Sequence, residues 1–313
     1  MKPSVSIIIP VYNVEKYIER CCRQVFSQTY QNIEVVIVND GTPDRSIEIV
    51  EGLLDGEFAN MKPRVKIINQ ENKGLPEARR TGLRHATGDY VIQFDSDDWP
   101  SRKIVGKMVA AAVREDADIV ICNYYNVYKF WNIPRREKRM TDKMQLLDTM
   151  FSHKHFRAFV WNKLVRRSLY DEGFLVPRRF MCEDVVITAQ FILKASKIHF
   201  IGDHLYYYRK TRMSDLSSEV LDRRFRDVFV NETDLWEFFE KKGDNPLAPI
   251  RESYMLQLAW LAFHRNITDL LEDHPYILEC VRGLPVDSKY SLEVENQERL
   301  KEMIRNYDSG KKS

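Results

Sequence analysis

Apolar positions in the first 120 residues follow two alternating patterns. Val5-Ser6-Ile7-Ile8-Ile9 is a short β-branched run closed by Pro10, which predicts a buried strand. Across 15–28 the apolar residues Tyr17, Ile18, Cys21, Cys22, Val25 and Phe26 recur at helical spacing. A second strand is predicted at 33–38, broken by the turn cluster Asn39-Asp40-Gly41-Thr42-Pro43-Asp44. A helix to about Leu54 and a strand at 65–68 follow. Pro76 then stands where a first helical turn begins, and Gly88 where that helix stops. Further strands are predicted at 89–94 and 119–122, with a helix at 101–114 between them.

Strand–helix alternation of this kind predicts an α/β fold, a mostly parallel sheet with helices on both faces. In such sheets ligands bind beyond the carboxyl ends of the strands. Three places therefore stand out: 10–13, 39–44 and 95–98. After residue 122 the pattern changes. A polar, basic loop is predicted at 129–139, helices at 142–151 and 183–195, and strands at 198–201 and 206–209. From about Glu219 the chain reads as helical to its end, with apolar content from Trp236, Phe238, Phe239, Tyr254, Leu258, Trp260, Leu261 and Phe263. The expected division is a domain at 1–218, made of halves 1–122 and 123–218, and a helical C-terminal region at 219–313.

Composition narrows the class. With 313 residues, 44% of them hydrophobic and 12% aromatic, the chain can fill a real core and is not disordered. No stretch approaches the roughly 20 apolar residues that span a bilayer, and Met1-Lys2-Pro3-Ser4 runs directly into the first strand. A soluble, cytoplasmic protein is expected. Five cysteines (Cys21, Cys22, Cys122, Cys182, Cys280) follow no metal-ligand spacing and are expected to be reduced thiols. The seven histidines (85, 153, 155, 199, 204, 264 and 274) show no pairing that compels a metal role.

Net charge is only +2, but residues 121–182 carry 13 Lys and Arg against 5 Asp and Glu. This basic island is either a solvated face or a surface for anionic partners such as diphosphates, acidic sugars or lipid headgroups. A nucleic-acid partner is not expected at so modest an overall charge. Together with the helical C-terminal region, the island is expected to support peripheral contact with the inner face of a membrane. The same region offers a surface for pairing subunits.

Three carboxylates in four positions, Asp95-Ser96-Asp97-Asp98, follow a predicted buried strand. They repel one another unless a cation sits among them, and a hard divalent ion, Mg²⁺ or Mn²⁺, would relieve this while leaving positions open for a substrate's phosphates. The competing reading is a helix N-terminus capped by Asp98 or Ser101. Asp40 is either the hinge of an Asx-turn or a carboxylate placed to meet a nucleobase or ribose, and Tyr12 could offer its ring to the same base.

These residues stand in a known order. Val5-Ser6-Ile7-Ile8-Ile9-Pro10-Val11-Tyr12-Asn13, Val36-Ile37-Val38-Asn39-Asp40-Gly41-Thr42-Pro43-Asp44, Asn72-Lys73-Gly74 with Ala78-Arg79, and Phe94-Asp95-Ser96-Asp97-Asp98 closely resemble family 2 glycosyltransferases of the GT-A fold. The resemblance extends through Val160-Trp161-Asn162-Lys163-Leu164, Glu183-Asp184-Val185, and Tyr206-Tyr207-Tyr208-Arg209 followed by Ser214. This later set is similar to the branch that builds bacterial surface polysaccharides. Two positions depart from the family pattern: Asn39-Asp40-Gly41-Thr42 stands for Asp-Asp-Gly-Ser, and Ala78-Arg79-Arg80 for Ala-Arg-Asn.

The resemblance implies transfer of a sugar, with inversion, from a nucleotide-sugar donor, most commonly a UDP-sugar, to a saccharide or lipid-linked acceptor. It implies a donor site of Pro10, Tyr12, Asn13, Asp40, Gly74, Arg79, Asp95, Ser96, Arg209 and Ser214, with Mn²⁺ or Mg²⁺ on Asp95 and Asp97. Asp184 is implied as the catalytic base at the head of a helix, where the dipole favours an ionised carboxylate. Trp161, Lys163 and Glu183 are implied on the acceptor side. For Trp161 a core position is an equal alternative, for Lys163 a plain surface position, and for Glu183-Asp184 simple helix-start acidity. Other readings are a non-catalytic nucleotide-sugar-binding protein of the same fold and a sugar-phosphate nucleotidyltransferase. The latter needs a glycine-rich loop after the first strand, which Pro10-Val11-Tyr12-Asn13 does not offer, and no G-x-G-x-x-G supports a dehydrogenase.

Overall fold

A computed structural model describes residues 2–152, 156–170, 173–179, 183–210 and 218–310. His153, His155, Cys182 and Ser214 lie outside them. The chain divides into two compact units, each made of separated segments: Met1–Arg139, Phe159–Val176 and Gln190–Asp215 form the first, and Met140–Ala158, Pro177–Ala189 and Leu216–Ser313 the second.

The first unit is built on β1 (Val5–Val11), α1 (Ile18–Phe26), β2 (Ile33–Asp40), α2 (Ser46–Asp55), β3 (Val65–Gln70), α3 (Leu75–His85), β4 (Tyr90–Gln93), β5 (Trp99–Pro100), α4 (Ile104–Glu115), β6 (Ile119–Val127), β7 (Asn132–Arg135), β8 (Lys163–Arg166) and β9 (Ile198–Arg209). These strands form one sheet in the order β3-β2-β1-β4-β8-β6-β9-β5, with β7 beside β6. The β3-β2-β1-β4 portion is parallel, as the βαβ pattern predicts. Beyond β4 the sheet is mixed. β8 runs antiparallel to both β4 and β6, while β9 is parallel to β6. β4 and β6 are thus separated by β8, a four-residue strand whose Lys-Leu-Val-Arg sequence carries no usable period. The two strands expected at 198–201 and 206–209 are one strand, β9, whose register against β6 shifts near Asn123.

Side-chain alternation along β1 explains the helices on both faces. Val5, Ile7, Ile9 and Val11 pack with Cys21, Cys22 and Val25 of α1 and with Ile104, Val105 and Met108 of α4. Ile8, on the opposite face, joins Val36, Val38, Val91 and Ala78 of α3. That second contact is very close, because a Cβ on Gly82 of α3 would fall 2.3 Å from Ile8 Cγ2. Pro10 sits inside β1 rather than ending it. Its backbone points the same way as that of Ile8, whose carbonyl accepts from Phe94 N–H on the β4 side. Because β4 has ended by then, the missing proline N–H costs no ladder bond.

The second unit contains α5 (Lys143–Phe151), the N-terminal part of α6 (Glu183–Lys194), α7 (Ser218–Lys241), α8 (Arg251–His264), α9 (Pro275–Arg282) and α10 (Val294–Gly310). Tyr254 of α8 centres its core. Its ring meets Phe151 of α5 edge-on at 4.4 Å between centroids and Trp236 of α7 at 5.6 Å, and its hydroxyl donates to the Glu232 carbonyl. Among the described residues no helix is long and apolar enough to cross a membrane.

Candidate active site

The chain leaves β4 at Gln93 and turns sharply through 95–98, where Asp98 N–H donates to the Asp95 carbonyl at 3.2 Å. Each acidic side chain of this turn has a separate environment. Arg79, on α3 and only 1% exposed, donates from Nη2 to Asp95 Oδ1 at 2.7 Å. Arg209, at the end of β9, donates from Nη2 to Asp97 Oδ2 at 2.7 Å and from Nε to the Asp97 carbonyl. Its guanidinium lies 3.7 Å from the centre of the Tyr17 ring, a cation–π contact. The backbone N–H of Arg209 meets Asp98 Oδ1 at 2.6 Å, while Asp98 Oδ2 has no hydrogen-bond partner among the described residues.

These environments set the titration. Burial, and then the neighbouring Asp95 charge, push the Asp97 carboxyl above its ordinary range against the pull of Arg209. Asp98, fully buried, is pushed up much further by burial and by both neighbours. Neither Asp98 nor Ser101 caps α4, whose N-terminus has no side-chain cap. The repulsion anticipated from sequence is therefore present and is answered by two arginines. Among the described residues no three acidic, His or Cys side chains converge into a closed metal cage. The acceptor-only oxygens of Asp95 and Asp97 nevertheless match the donor chemistry of a hard divalent ion that completes its shell with phosphate and water. The residues fit such an ion held jointly with a substrate.

At the end of β2, Asp40 is buried and accepts three hydrogen bonds: from the N–H groups of Lys73 and Gly74, both at 2.9 Å, and from Gln70 Nε2 at 2.7 Å. Gly74 precedes α3 with φ of 86°, a left-handed conformation that favours glycine. Asp40 is not the hinge of an Asx-turn: the side chains that bond local backbone here are Asn39, whose Oδ1 accepts from Thr42 N–H, and Asp44, whose Oδ1 accepts from Ser46 N–H. Asn13, also left-handed, donates its N–H to Thr42 Oγ1. Burial raises the Asp44 carboxyl, but hydrogen bonds from Ser46, Thr42 and the Glu15 N–H outweigh it and hold the group down at about 2. The loops after β1 and β2 are thereby tied together. Tyr12 remains 48% exposed at the tip of β1.

The structure thus gathers Arg79, Asp95, Ser96, Asp97 and Arg209 around the turn after β4, and Asp40 with Gly74 at the end of β2, with β1 between the two strands. Ser214 lies outside the described residues. Trp161 is 1% exposed and stacked between Phe159 and Tyr206, at 4.6 and 4.3 Å, so its packing is that of a core residue. Lys163 is equally buried, its ammonium donating to Asn162 Oδ1 and to the Phe159 carbonyl, and is not on the surface. Glu183 and Asp184 open the first turn of α6 in the second unit, with Glu183 buried and Asp184 half-buried. Sequence reasoning missed Tyr206, whose hydroxyl accepts from Asp95 N–H, and Gln70, Tyr17 and Trp99. Tyr206 could have been found from the period of two along Tyr206-Tyr207-Tyr208, which turns alternate rings inward.

Beside Asp97 the first unit has an open cavity of about 400 Å³. Its walls are Lys16, Tyr17 and Arg20 before and in α1, Asp97 and Trp99, Val127–Lys129 at the end of β6, and Arg209-Lys210. Five cationic side chains face a single carboxylate there, which suits an anionic ligand.

Comparison with known proteins bears on this arrangement. The family model described as glycosyl transferase family 2 matches residues 6–174. Glycosyltransferase GlyG of Streptococcus pneumoniae serotype 4 is 31% identical over 288 residues, 88% of this chain and 91% of its own. Glycosyltransferase GlyA of the same organism is 33% identical over 217 residues, 66% of this chain, but the match spans only 30% of its length. Among solved structures, Staphylococcus aureus TarS 1-349 in complex with UDP-GlcNAc superposes with a TM-score of 0.64 at 20% identity, covering 97% of this chain and 92% of that one. Mannosyltransferase PcManGT from Pyrobaculum calidifontis, in complex with GDP-Man and Mn²⁺, does so with a TM-score of 0.56 at 19% identity, covering 97% and 86%.

Proposed function

The chain belongs to glycosyl transferase family 2, and on that premise we propose that it moves a sugar, with inversion, from a UDP-sugar to a hydroxyl of a saccharide or lipid-linked acceptor in surface-polysaccharide synthesis. The observation that carries this reading is the convergence of Arg79–Asp95 and Arg209–Asp97 on the turn after β4. The likeness to structures holding UDP-GlcNAc or GDP-Man with Mn²⁺ supports a nucleotide-sugar donor and a divalent ion.

Inverting transfer requires a hydroxyl to attack the anomeric carbon opposite the departing diphosphate. Positive charge develops on the sugar and negative charge on the leaving group. Asp95 and Asp97 would hold Mn²⁺ or Mg²⁺, which when bound supplies Lewis-acid stabilisation of that negative charge. Arg79 and Arg209, already at the turn, add charge-assisted hydrogen bonds to the phosphate oxygens. The neighbouring cations Lys16, Arg20 and Lys210 contribute a positive field. Asp40 and Tyr12 are assigned to the nucleobase and ribose, and Gly74, Ser96, Pro10 and Asn13 shape the loops around them. Asp184, at the start of α6, is assigned as the base that accepts the proton of the attacking hydroxyl.

A thermal-shift panel of nucleoside diphosphates with Mn²⁺ or Mg²⁺, followed by release of nucleoside diphosphate from a UDP-sugar in the presence of acceptors, tests the reading. UDP with a divalent ion is expected to raise the melting temperature, and turnover to depend on the ion. Donor binding without any turnover would favour the non-catalytic alternative. No stabilisation by any nucleotide would overturn the assignment.

A further inference from the structure

The hairpin between β6 and β7 is the most exposed aromatic feature of the first unit. Tyr128 N–H donates to the Trp131 carbonyl at 2.9 Å and closes a tight turn with Lys129 and Phe130 at its tip. Phe130 is 78% exposed and Trp131 53%, the first the highest among the large exposed hydrophobic residues described. Their rings lie 6.3 Å apart, and the Lys129 ammonium stands over the Phe130 ring at 5.1 Å. Adjacent large aromatics are seldom left in water unless something covers them.

Charge points to what covers them. From Val127 to Arg139 the chain carries Lys129, Arg135, Arg136, Lys138 and Arg139, all exposed, and none makes an ion pair among the described residues. The single acid of the stretch, Glu137, is buried, where its carboxylate accepts from Asn162 Nδ2 at 3.1 Å. Pro134 and Arg135 on β7 also keep an edge strand from pairing with another sheet. Edge protection gives no reason, however, for a Phe-Trp tip.

We propose that this hairpin docks the protein on an anionic lipid bilayer, with Phe130 and Trp131 entering the headgroup boundary and the exposed Arg and Lys side chains on lipid phosphates. Tyr128 and Lys129 also line the cavity beside Asp97, so docking sets that cavity at the lipid surface. The docking stands independently of the sugar-transfer reading. Only its use, delivery of a lipid-linked acceptor, rests on that reading.

Co-sedimentation of the whole chain with phosphatidylcholine vesicles, with and without phosphatidylglycerol, tests it. Binding is expected only to the anionic vesicles and should weaken as salt rises. Phe130→Ser with Trp131→Ser should lower partitioning roughly tenfold or more, and Arg135→Glu with Arg136→Glu at least as much, since each juxtamembrane cation is worth about fivefold. Thermal shift by UDP with Mn²⁺ is to be measured on the same variants. If it matches the parent, the variants are folded, and if the parent shows none, the donor reading fails while vesicle binding is still read separately. Parent protein that ignores anionic vesicles at low salt would overturn the docking. So would a double aromatic variant that binds them like the parent, or equal capture by RNA that the aromatic variant does not weaken.

Discussion

At the residue scale, the acidic turn shows how neighbours in sequence are given different work. Asp95 and Asp97 are each paired with an arginine brought from a distant element, whereas Asp98 is buried against the backbone of Arg209. Asp97→Ala is expected to abolish the stabilisation by UDP with Mn²⁺ and turnover together. Asp184→Asn should lower turnover by about 10²–10⁴, the usual contribution of a general base, while leaving the UDP thermal shift in place. Single-turnover kinetics beside calorimetry separate the two effects, and full turnover in Asp184→Asn would remove the assigned base. Trp161, stacked between two rings in the core, is expected to act on the fold: Trp161→Ala should destabilise by about 3–5 kcal/mol in a urea titration.

At the scale of elements, close packing and burial set the sensitivities. Because α3 lies flush on β1 at Gly82, Gly82→Ala is expected to cost about 1–3 kcal/mol, read as a lower denaturation midpoint. On α7, burial pushes the Glu232 carboxyl up to about 8 from its ordinary 4.5. The folded protein then binds more protons than the unfolded chain between those values. Stability should fall as pH rises through that window, by up to about 1.4 kcal/mol per pH unit, and Glu232→Gln should flatten the slope. The elements also show what the sequence could reveal. β1 to β4 were legible because continuous β-branched runs bounded by Gly, Pro and Asp clusters have one reading. β5 and β8 were not, because strands of two and four residues are defined by the partners they meet, and those partners are remote in sequence; β7 was not, because its Asn-Ile-Pro-Arg run is mostly polar and carries a proline. The acidic turn was legible from local charge alone. The bonds from Arg209 to Asp97 and from Gln70 to Asp40, 112 and 30 residues apart, were not.

At the scale of the molecule, the two units exchange chain segments. Residues 140–158 and 177–189 belong to the unit that holds α8 to α10, although they precede residue 218. A fragment ending at 218 would therefore leave Leu146, Leu147, Met150 and Phe151 of α5 without Tyr254 and the rest of α8. Such a fragment is expected to bind hydrophobic dyes, lose near-ultraviolet ellipticity and aggregate, whereas the full chain should not. Chelation of divalent ions, by contrast, is expected to stop turnover without lowering the melting temperature, since Arg79 and Arg209 already neutralise the acidic turn. The same pairing bears on how the protein could be inhibited. A purely anionic mimic of the donor must pull both guanidinium groups away from their carboxylates and leave those carboxylates bare. A blocker that carries its own positive centre exchanges one partner for another at every contact, and is the better starting point for chemistry.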